Sequence, residues 1–163
     1  MIGLPYFVGF LSDNNVIIRK KYFNHIVFVS LYGNKWNGMD KFKVVFLTEA
    51  REFLLELDQK SREKIIFNID KSKIKNDSEL FKKLKGEIWE FRTLYNKTYF
   101  RIFAFWDKTD KVVPIGSELI KQTLVLASHG IIKKTGKTPE KEIEKAEKIR
   151  LSYFELKNKR NEK

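Results

Sequence analysis

Apolar and polar residues follow two different periods along the chain, and the two periods predict different elements. A short run of apolar and β-branched residues at 42–47 predicts a strand, and so do the stretches 88–94 and 98–107, which are rich in apolar and aromatic residues. The dipeptide at 96–97, between the last two stretches, predicts a hairpin turn. A fourth strand is predicted at 123–128.

Three segments have the 3.6-residue period of amphipathic helices. Thr48 stands at the N-cap position of the first helix, and Ser61 at that of the second, which ends near Ile74. Two apolar stripes mark these helices, namely Ala50, Phe53, Leu54 and Leu57 in the first and Ile65, Ile66 and Ile69 in the second. The pair is a predicted helical hairpin. A last helix is predicted to begin with Thr138 as its N-cap and Pro139 at its first position.

The elements come in the order strand, helix, helix, three strands, helix. This order predicts an α+β fold, with a mainly antiparallel four-stranded sheet, an N-terminal helical hairpin and a C-terminal helix. Residues 108–122, between the third and fourth strands, are predicted to form a longer loop or a small excursion from the core.

Charge density rises at Met39, because the first 38 residues contain few charged side chains. The prediction is therefore an N-terminal extension at 1–38, one domain at 39–156 and a basic, solvated tail at 157–163. Within the extension, residues 22–31 have the composition of a strand. Two interpretations of the extension stand: a dispensable or translated upstream segment, and a genuine strand or helix that covers a sheet edge.

The 163 residues include 33 Lys and Arg against 21 Asp and Glu, which gives a formal charge of +12. Such a balance favours a polyanionic partner, nucleic acid first and an anionic membrane surface second. The absence of cysteine excludes disulfides, thiolate nucleophiles and cysteine-based zinc sites, and two histidines cannot supply a site of three imidazoles. No apolar stretch is long enough to span a membrane and no basic signal region begins the chain. A cytoplasmic protein without metal or cofactor is predicted.

If the polyanionic partner is RNA, its cleavage can use the side chains that remain. The 2′-hydroxyl of the substrate can attack the adjacent phosphate while the protein supplies a base, an acid and cations. Arg101 is a candidate, because its charge lies on a strand of mostly apolar residues, and His129 is a candidate proton carrier, with a packed structural histidine as the equal alternative. Tyr99 is a candidate for stacking on an RNA base, whereas Trp89 and Trp106 are predicted to lie in the core.

Three stretches resemble a known family of proteins. They are FKKLKG at 81–86, IWEFR at 88–92 and HGIIKKTGKTP at 129–139, the last being the longest literal match. Together with the Lys/Glu-rich helix that follows, they are similar to toxins of the RelE/ParE superfamily, and in particular to its phage-derived HigB-like branch. The resemblance covers residues 39–154 and leaves 112–121 as an insertion.

The resemblance implies a RelE-like fold and a ribosome-dependent endoribonuclease that cleaves mRNA. It also implies a neutralising helix-turn-helix antitoxin encoded by a neighbouring gene. Two alternatives remain, because ParE-like relatives of the same fold inhibit gyrase, and a non-catalytic nucleic-acid-binding module would use the same basic surface. The KKT sequence near the end of the third stretch favours the RNase branch.

Site residues follow from the same matched stretches. Arg92 lies within IWEFR, and Lys133 and Lys134 lie within KKT, so all three are expected to stabilise charge on the phosphate. Lys85 and Lys137 are expected to bind RNA. The alternative for Arg92 is an arginine at the sheet rim paired to a glutamate, and the alternative for the loop lysines is a solvated surface.

Overall fold

The computed structural model describes residues 40–75, 77–108, 123–133 and 138–161, together with the backbone of short strands at 28–29, 112–115 and 118–121. Lys134, Lys137 and the predicted extension, apart from two of its residues, lie outside this range. The helices within it are α1 (Thr48–Glu56), α2 (Gln59–Ile74) and α3 (Glu140–Asn161). The strands are β1 (Phe28–Val29), β2 (Lys43–Phe46), β3 (Phe81–Lys85), β4 (Ile88–Tyr95), β5 (Thr98–Asp107), β6 (Val112–Ile115), β7 (Glu118–Lys121) and β8 (Leu124–Lys133).

The main sheet has the strand order β1-β2-β8-β5-β4-β3, and β2 runs parallel to β8 while the other pairs are antiparallel. The α+β prediction is confirmed, but the four-stranded, mainly antiparallel sheet is wrong in detail. The sheet is mixed and has five strands of four or more residues, with the two-residue β1 at one edge. Local sequence patterns could not predict the parallel pairing of β2 with β8, since these two strands are far apart in the chain.

Strand β3 was missing from the predicted elements because its sequence does not alternate. The pairing of β3 with β4 shifts between Lys83 and Lys85, which is a β-bulge, so Phe81 and Leu84 are the partly buried positions instead of every second residue. The exposed lysines of β3 suit the edge of a sheet, where charge discourages pairing with another chain.

Two further segments differ from the predicted layout. The predicted loop at 108–122 contains a hairpin of β6 and β7 that forms a separate two-stranded sheet. Strand β8 continues to Lys133 instead of ending at Ser128, although a glycine inside it weakens the strand pattern. That glycine, Gly130, lies against Phe53 of α1, and a Cβ at this position would overlap the Phe53 ring.

Helix starts also differ from the predicted caps. Thr48 is the first residue of α1 and Leu47 is its N-cap, without a side-chain hydrogen bond. In α2 the N-cap is Asp58, whose Oδ1 accepts a hydrogen bond from the backbone N–H of Ser61 at 3.0 Å. Ser61 is therefore a buried residue of the first turn. None of the described helices is both long and apolar enough to cross a membrane.

The helices cover the two faces of the sheet. Helices α1 and α2 pack on one side, the helical-hairpin face, where their predicted apolar stripes meet Phe91, Phe100 and Ile102. Helix α3 packs on the other side, the α3 face, where Phe103 and Phe105 are fully buried. The predicted stripes of the hairpin are confirmed, since their members are buried in this core or packed against it.

Replacing Gly130 with alanine tests the close packing of α1 on β8. The added methyl group would overlap the Phe53 ring, so the ring or the helix must shift. We expect Gly130→Ala to lower the free energy of unfolding by about 1–3 kcal/mol, as overpacking of a core does. Denaturant unfolding measures this, and an unchanged midpoint would contradict the packing.

Candidate functional site

The register of the central strands brings the predicted site residues into adjacent rows. Arg92 of β4 pairs with Arg101 of β5. Two residues away along β5, Tyr99 pairs with Lys133 of β8. These residues share the α3 face because the pairing of β8 with β5 shifts at Ser128, which is a β-bulge. Beyond the bulge, every second residue of β8 up to Lys133 faces the same way as Arg101.

A buried carboxylate holds the arginines together. Glu90 is 1% exposed, and its Oε1 forms an ion pair with Nη1 of Arg101, which is also buried. The Nε of Arg92 lies 3.6 Å from the same Glu90 oxygen. Thr138, just before α3, donates its hydroxyl to Glu90 Oε2 at 3.1 Å and accepts from Arg101 Nη1 at 3.1 Å. The hydroxyl therefore connects the start of α3 to the ion pair on the sheet.

These side chains line a cleft of about 400 Å³ between β3, β4, β5 and the start of α3. We call it the basic cleft, after the four cations that line it, which are Lys82, Lys85, Arg92 and Arg101. Two carboxylates, Glu90 and Glu140, also line it, and Glu140 pairs with Lys85. The Arg92 side chain is 28% exposed, so it presents part of its guanidinium to the cleft while Arg101 lies deeper.

Lys133 lies beside this network at the end of β8 and is 9% exposed. Burial and the nearby charge of Arg101 lower the pKa of Lys133, while the charge of Glu90 acts in the opposite direction. Because its pKa is lowered, Lys133 becomes a neutral amine at a lower pH than a solvated lysine does. A lysine in this state can exchange a proton as well as stabilise charge.

His129 is buried on the α3 face of the sheet, outside the basic cleft. It is 2% exposed, its ring stacks on Phe103, and its nitrogens contact Ser128 Oγ at 3.1 Å and Glu142 Oε2 at 3.2 Å. Burial, followed by the charge of Lys145, lowers the pKa of His129, whereas Glu142 raises it. The geometry agrees with the alternative of a packed structural histidine, and His129 does not line the basic cleft.

The other predicted residues divide into three groups. Lys85 lines the cleft, and Tyr99 is 43% exposed in the row next to Arg101, as a base-stacking residue requires. Trp106 packs against the core of the helical-hairpin face, so its prediction as a core residue is confirmed, whereas Trp89 is half-buried against Phe81 and lies outside both cores. Lys134 and Lys137 lie outside the described residues.

Two residues of the site were not among the predicted ones. Glu90 could have been found, because strand alternation places it on the same face as Arg92 and a lone carboxylate in an apolar strand needs a buried cation. Thr138 was interpreted as a helix cap, and no local pattern shows that its hydroxyl contacts strands that are far away in the chain. Within the described ranges, no group of three or more His, Asp or Glu side chains forms a metal-binding arrangement.

Comparison with known proteins identifies one family. The family described as "Phage derived protein Gp49-like (DUF891)" matches residues 52–150, more than half of the chain, and the match includes the strands that form the basic cleft. No curated protein matches the chain. No solved structure matches it either. The chain therefore belongs to the Gp49-like phage-derived protein family, a RelE/ParE-like toxin family of toxin–antitoxin systems, and membership suggests an antitoxin as its partner.

Proposed function

We propose that this toxin is an endoribonuclease that cleaves mRNA on the ribosome, without a metal ion. One observation carries the proposal: four basic side chains line one cleft, and two of them are arginines held by the buried Glu90. Arginine binds phosphate through two parallel hydrogen bonds, and an arginine that is already oriented loses little freedom on binding. The cleft is suited to a phosphate whose charge increases during a reaction.

The proposed reaction needs no nucleophile from the protein. The 2′-oxygen of one nucleotide forms a bond to the adjacent phosphorus, and the bond from phosphorus to the 5′-oxygen breaks. The products are a 2′,3′-cyclic phosphate and a free 5′-hydroxyl. The proton of the 2′-hydroxyl goes to a base, and the leaving 5′-oxygen receives a proton from an acid. Arg92 and Arg101 would bind the non-bridging oxygens, where charge accumulates in the transition state.

Lys133 is the proposed proton carrier, because its lowered pKa and its place beside Arg101 suit a lysine that gives and takes a proton. Lys134 follows β8 directly in the chain, Lys137 comes three residues later, and both are proposed phosphate contacts. His129 is proposed to support the α3 face through Glu142 and not to touch the substrate. The proposed partners are a helix-turn-helix antitoxin, the ribosome and mRNA, and the proposed location is the cytoplasm.

Induction of the chain in growing cells without an antitoxin tests the function. We expect growth arrest together with new transcript ends that primer extension detects within minutes. Intact transcripts with broken chromosomal DNA would instead indicate a gyrase inhibitor of the ParE kind. Intact transcripts and intact DNA, with RNA bound to the purified chain, would indicate a non-catalytic binding module.

The pH dependence of cleavage tests the role of Lys133. If its neutral form takes the 2′ proton, the rate rises with pH as that form increases and becomes constant above the lysine's pKa, which burial has lowered. Lys133→Arg keeps the positive charge but cannot become neutral in this range, so we expect a slow variant without the rise. Lys83→Arg, at an exposed position outside the cleft, is the control and should keep the parent's rise with pH. The same pH profile in Lys133→Arg as in the parent would contradict the role.

A further inference from the structure

A second concavity, which we call the Ile88 groove, lies beside the basic cleft. Its floor is Ile88, which is 1% exposed, and its walls are the β3–β4 turn at Gly86 and the first turns of α3 at Ile143. The volume is about 420 Å³ and the lining is mainly apolar. Gly86 adds no side chain to its wall, and a Cβ built there would meet no atom within 4 Å. The groove is thus an open slot between a turn and a helix.

Carboxylates line the α3 side of the slot. Glu140, Glu144 and Glu147 all contribute to it, in a chain whose formal charge is +12, and Lys85 and Lys148 line the same groove. Three carboxylates against two lysines make the groove less attractive to a phosphate than the basic cleft, where four cations face two carboxylates. A nucleobase fits better, since it has a flat apolar surface for Ile88 and Ile143 and N–H donors at its edge for a carboxylate.

The groove and the basic cleft are continuous. Lys85, Glu140 and Ile143 line both of them. On β4, Ile88 lies two residues from Glu90 on the same face, which is about 7 Å along the strand. A nucleotide whose phosphate lies in the basic cleft therefore brings an adjoining base to the groove.

We propose that the Ile88 groove is a nucleobase subsite, in which a base next to the scissile phosphate packs on Ile88 and Ile143 and donates a hydrogen bond to Glu144. The inference rests on the proposed RNA cleavage. Glu144 is exposed, whereas Glu140 pairs with Lys85 and both Glu147 oxygens accept from Arg150. Uracil offers only its N3–H, which lies between two carbonyl oxygens that repel a carboxylate, so Glu144 favours bases with an exocyclic amino group, namely adenine, cytosine and guanine, over uracil.

Cleavage of a matched set of substrates tests the subsite. Short synthetic mRNAs are supplied with ribosomes and the purified full chain, and the base on each side of the scissile bond is varied through all four. At one of these two positions, we expect uracil to slow cleavage about tenfold relative to the best base that carries an amino group. Loss of one hydrogen bond to the edge of a base has an effect of about this size. Glu144→Gln, which replaces the acceptor by an amide that also donates, should reduce that difference to about twofold or less.

Glu155→Gln is the matched control, because Glu155 is an exposed glutamate on the same helix, 66% exposed, and lies outside the groove. It should keep the preference of the parent, and both variants should unfold at the parent's temperature. A preference that Glu144→Gln leaves unchanged would overturn the subsite while RNA cleavage stands. A Glu144→Gln variant that keeps its preference but no longer binds a co-expressed antitoxin would overturn it as well, in favour of a protein-docking groove. If the parent cleaves none of the substrates, the proposed function fails and the subsite fails with it.

Discussion

Replacement of Arg92 by alanine is expected to slow RNA cleavage by about 100- to 1,000-fold, the usual effect of removing one donor to a developing negative charge. The Arg92 guanidinium lines the basic cleft and lies 3.6 Å from Glu90 and 3.7 Å from Glu79. Its contact with the phosphate would strengthen as the transition state forms. We therefore expect most of the loss in kcat and little of it in KM or in RNA binding.

The fold should survive this change, which makes Arg92 a better test than Arg101. Glu90 keeps its ion pair with Arg101 and its hydrogen bond from Thr138 when Arg92 is removed. Removal of Arg101 would instead leave the buried Glu90 without its main cation, and loss of stability would obscure the effect on the reaction.

Two variants complete this experiment. Arg92→Lys retains the charge without the planar fork, so its rate should fall between those of the parent and of Arg92→Ala. Lys83→Ala removes a charge from the neighbouring strand at an exposed position outside the cleft, and it should leave the rate nearly unchanged. If Arg92→Ala cleaves as fast as the parent, the alternative of a rim arginine paired to glutamates is correct.

Replacement of Lys157 by alanine is expected to lower the free energy of unfolding by about 3–5 kcal/mol, as the loss of one partner of a buried ion pair does. Lys157 Nζ lies 2.6 Å from an oxygen of Asp107, whose side chain is 0% exposed. Tyr153 Oη donates to the same carboxylate at 2.7 Å. These contacts attach the C-terminal half of α3 to the end of β5. Loss of the lysine would leave the buried carboxylate of Asp107 without its cation.

Lys159 supplies the control for this prediction. It is 66% exposed and pairs with Glu155 one helical turn away, so Lys159→Ala should change stability by about 0.5 kcal/mol or less. Denaturant unfolding of the two variants measures the difference. Equal stability of both would contradict a buried ion pair at Asp107. The sequence interpretation placed Lys157 and Lys159 together in a solvated tail, but α3 continues through this segment and only Lys159 has the exposure of a tail residue.

Local patterns predicted those parts of the fold that depend on neighbouring residues. The apolar stripes of α1 and α2 and the β4–β5 hairpin are set by spacing within a few residues, and the predicted ranges are close to the observed ones. The bulges in β3 and at Ser128 of β8 break the two-residue period on which strand prediction depends. The parallel pairing of β2 with β8 depends on contacts between distant segments.

The same limit applies to the site. Alternation placed Arg92 on one face of its strand and Arg101 on one face of the next, but only the register shows that the two faces are the same. The pairing of Arg101 with Glu90 and the hydroxyl contact of Thr138 join three separate elements, and no spacing in the sequence encodes them. The bulge at Ser128 decides that Lys133 lies on the side of Arg101.

A single missing oxygen in the substrate tests whether the 2′-hydroxyl attacks the phosphate. A short synthetic mRNA that the chain cleaves with ribosomes is prepared again with 2′-deoxyribose at the one nucleotide whose 2′-hydroxyl would attack. If that hydroxyl is the nucleophile, the chain does not cut the modified site, and the fragments of the unmodified RNA end in a 2′,3′-cyclic phosphate and a 5′-hydroxyl. Cleavage of the modified RNA at the same site and rate would show that this hydroxyl is not the nucleophile.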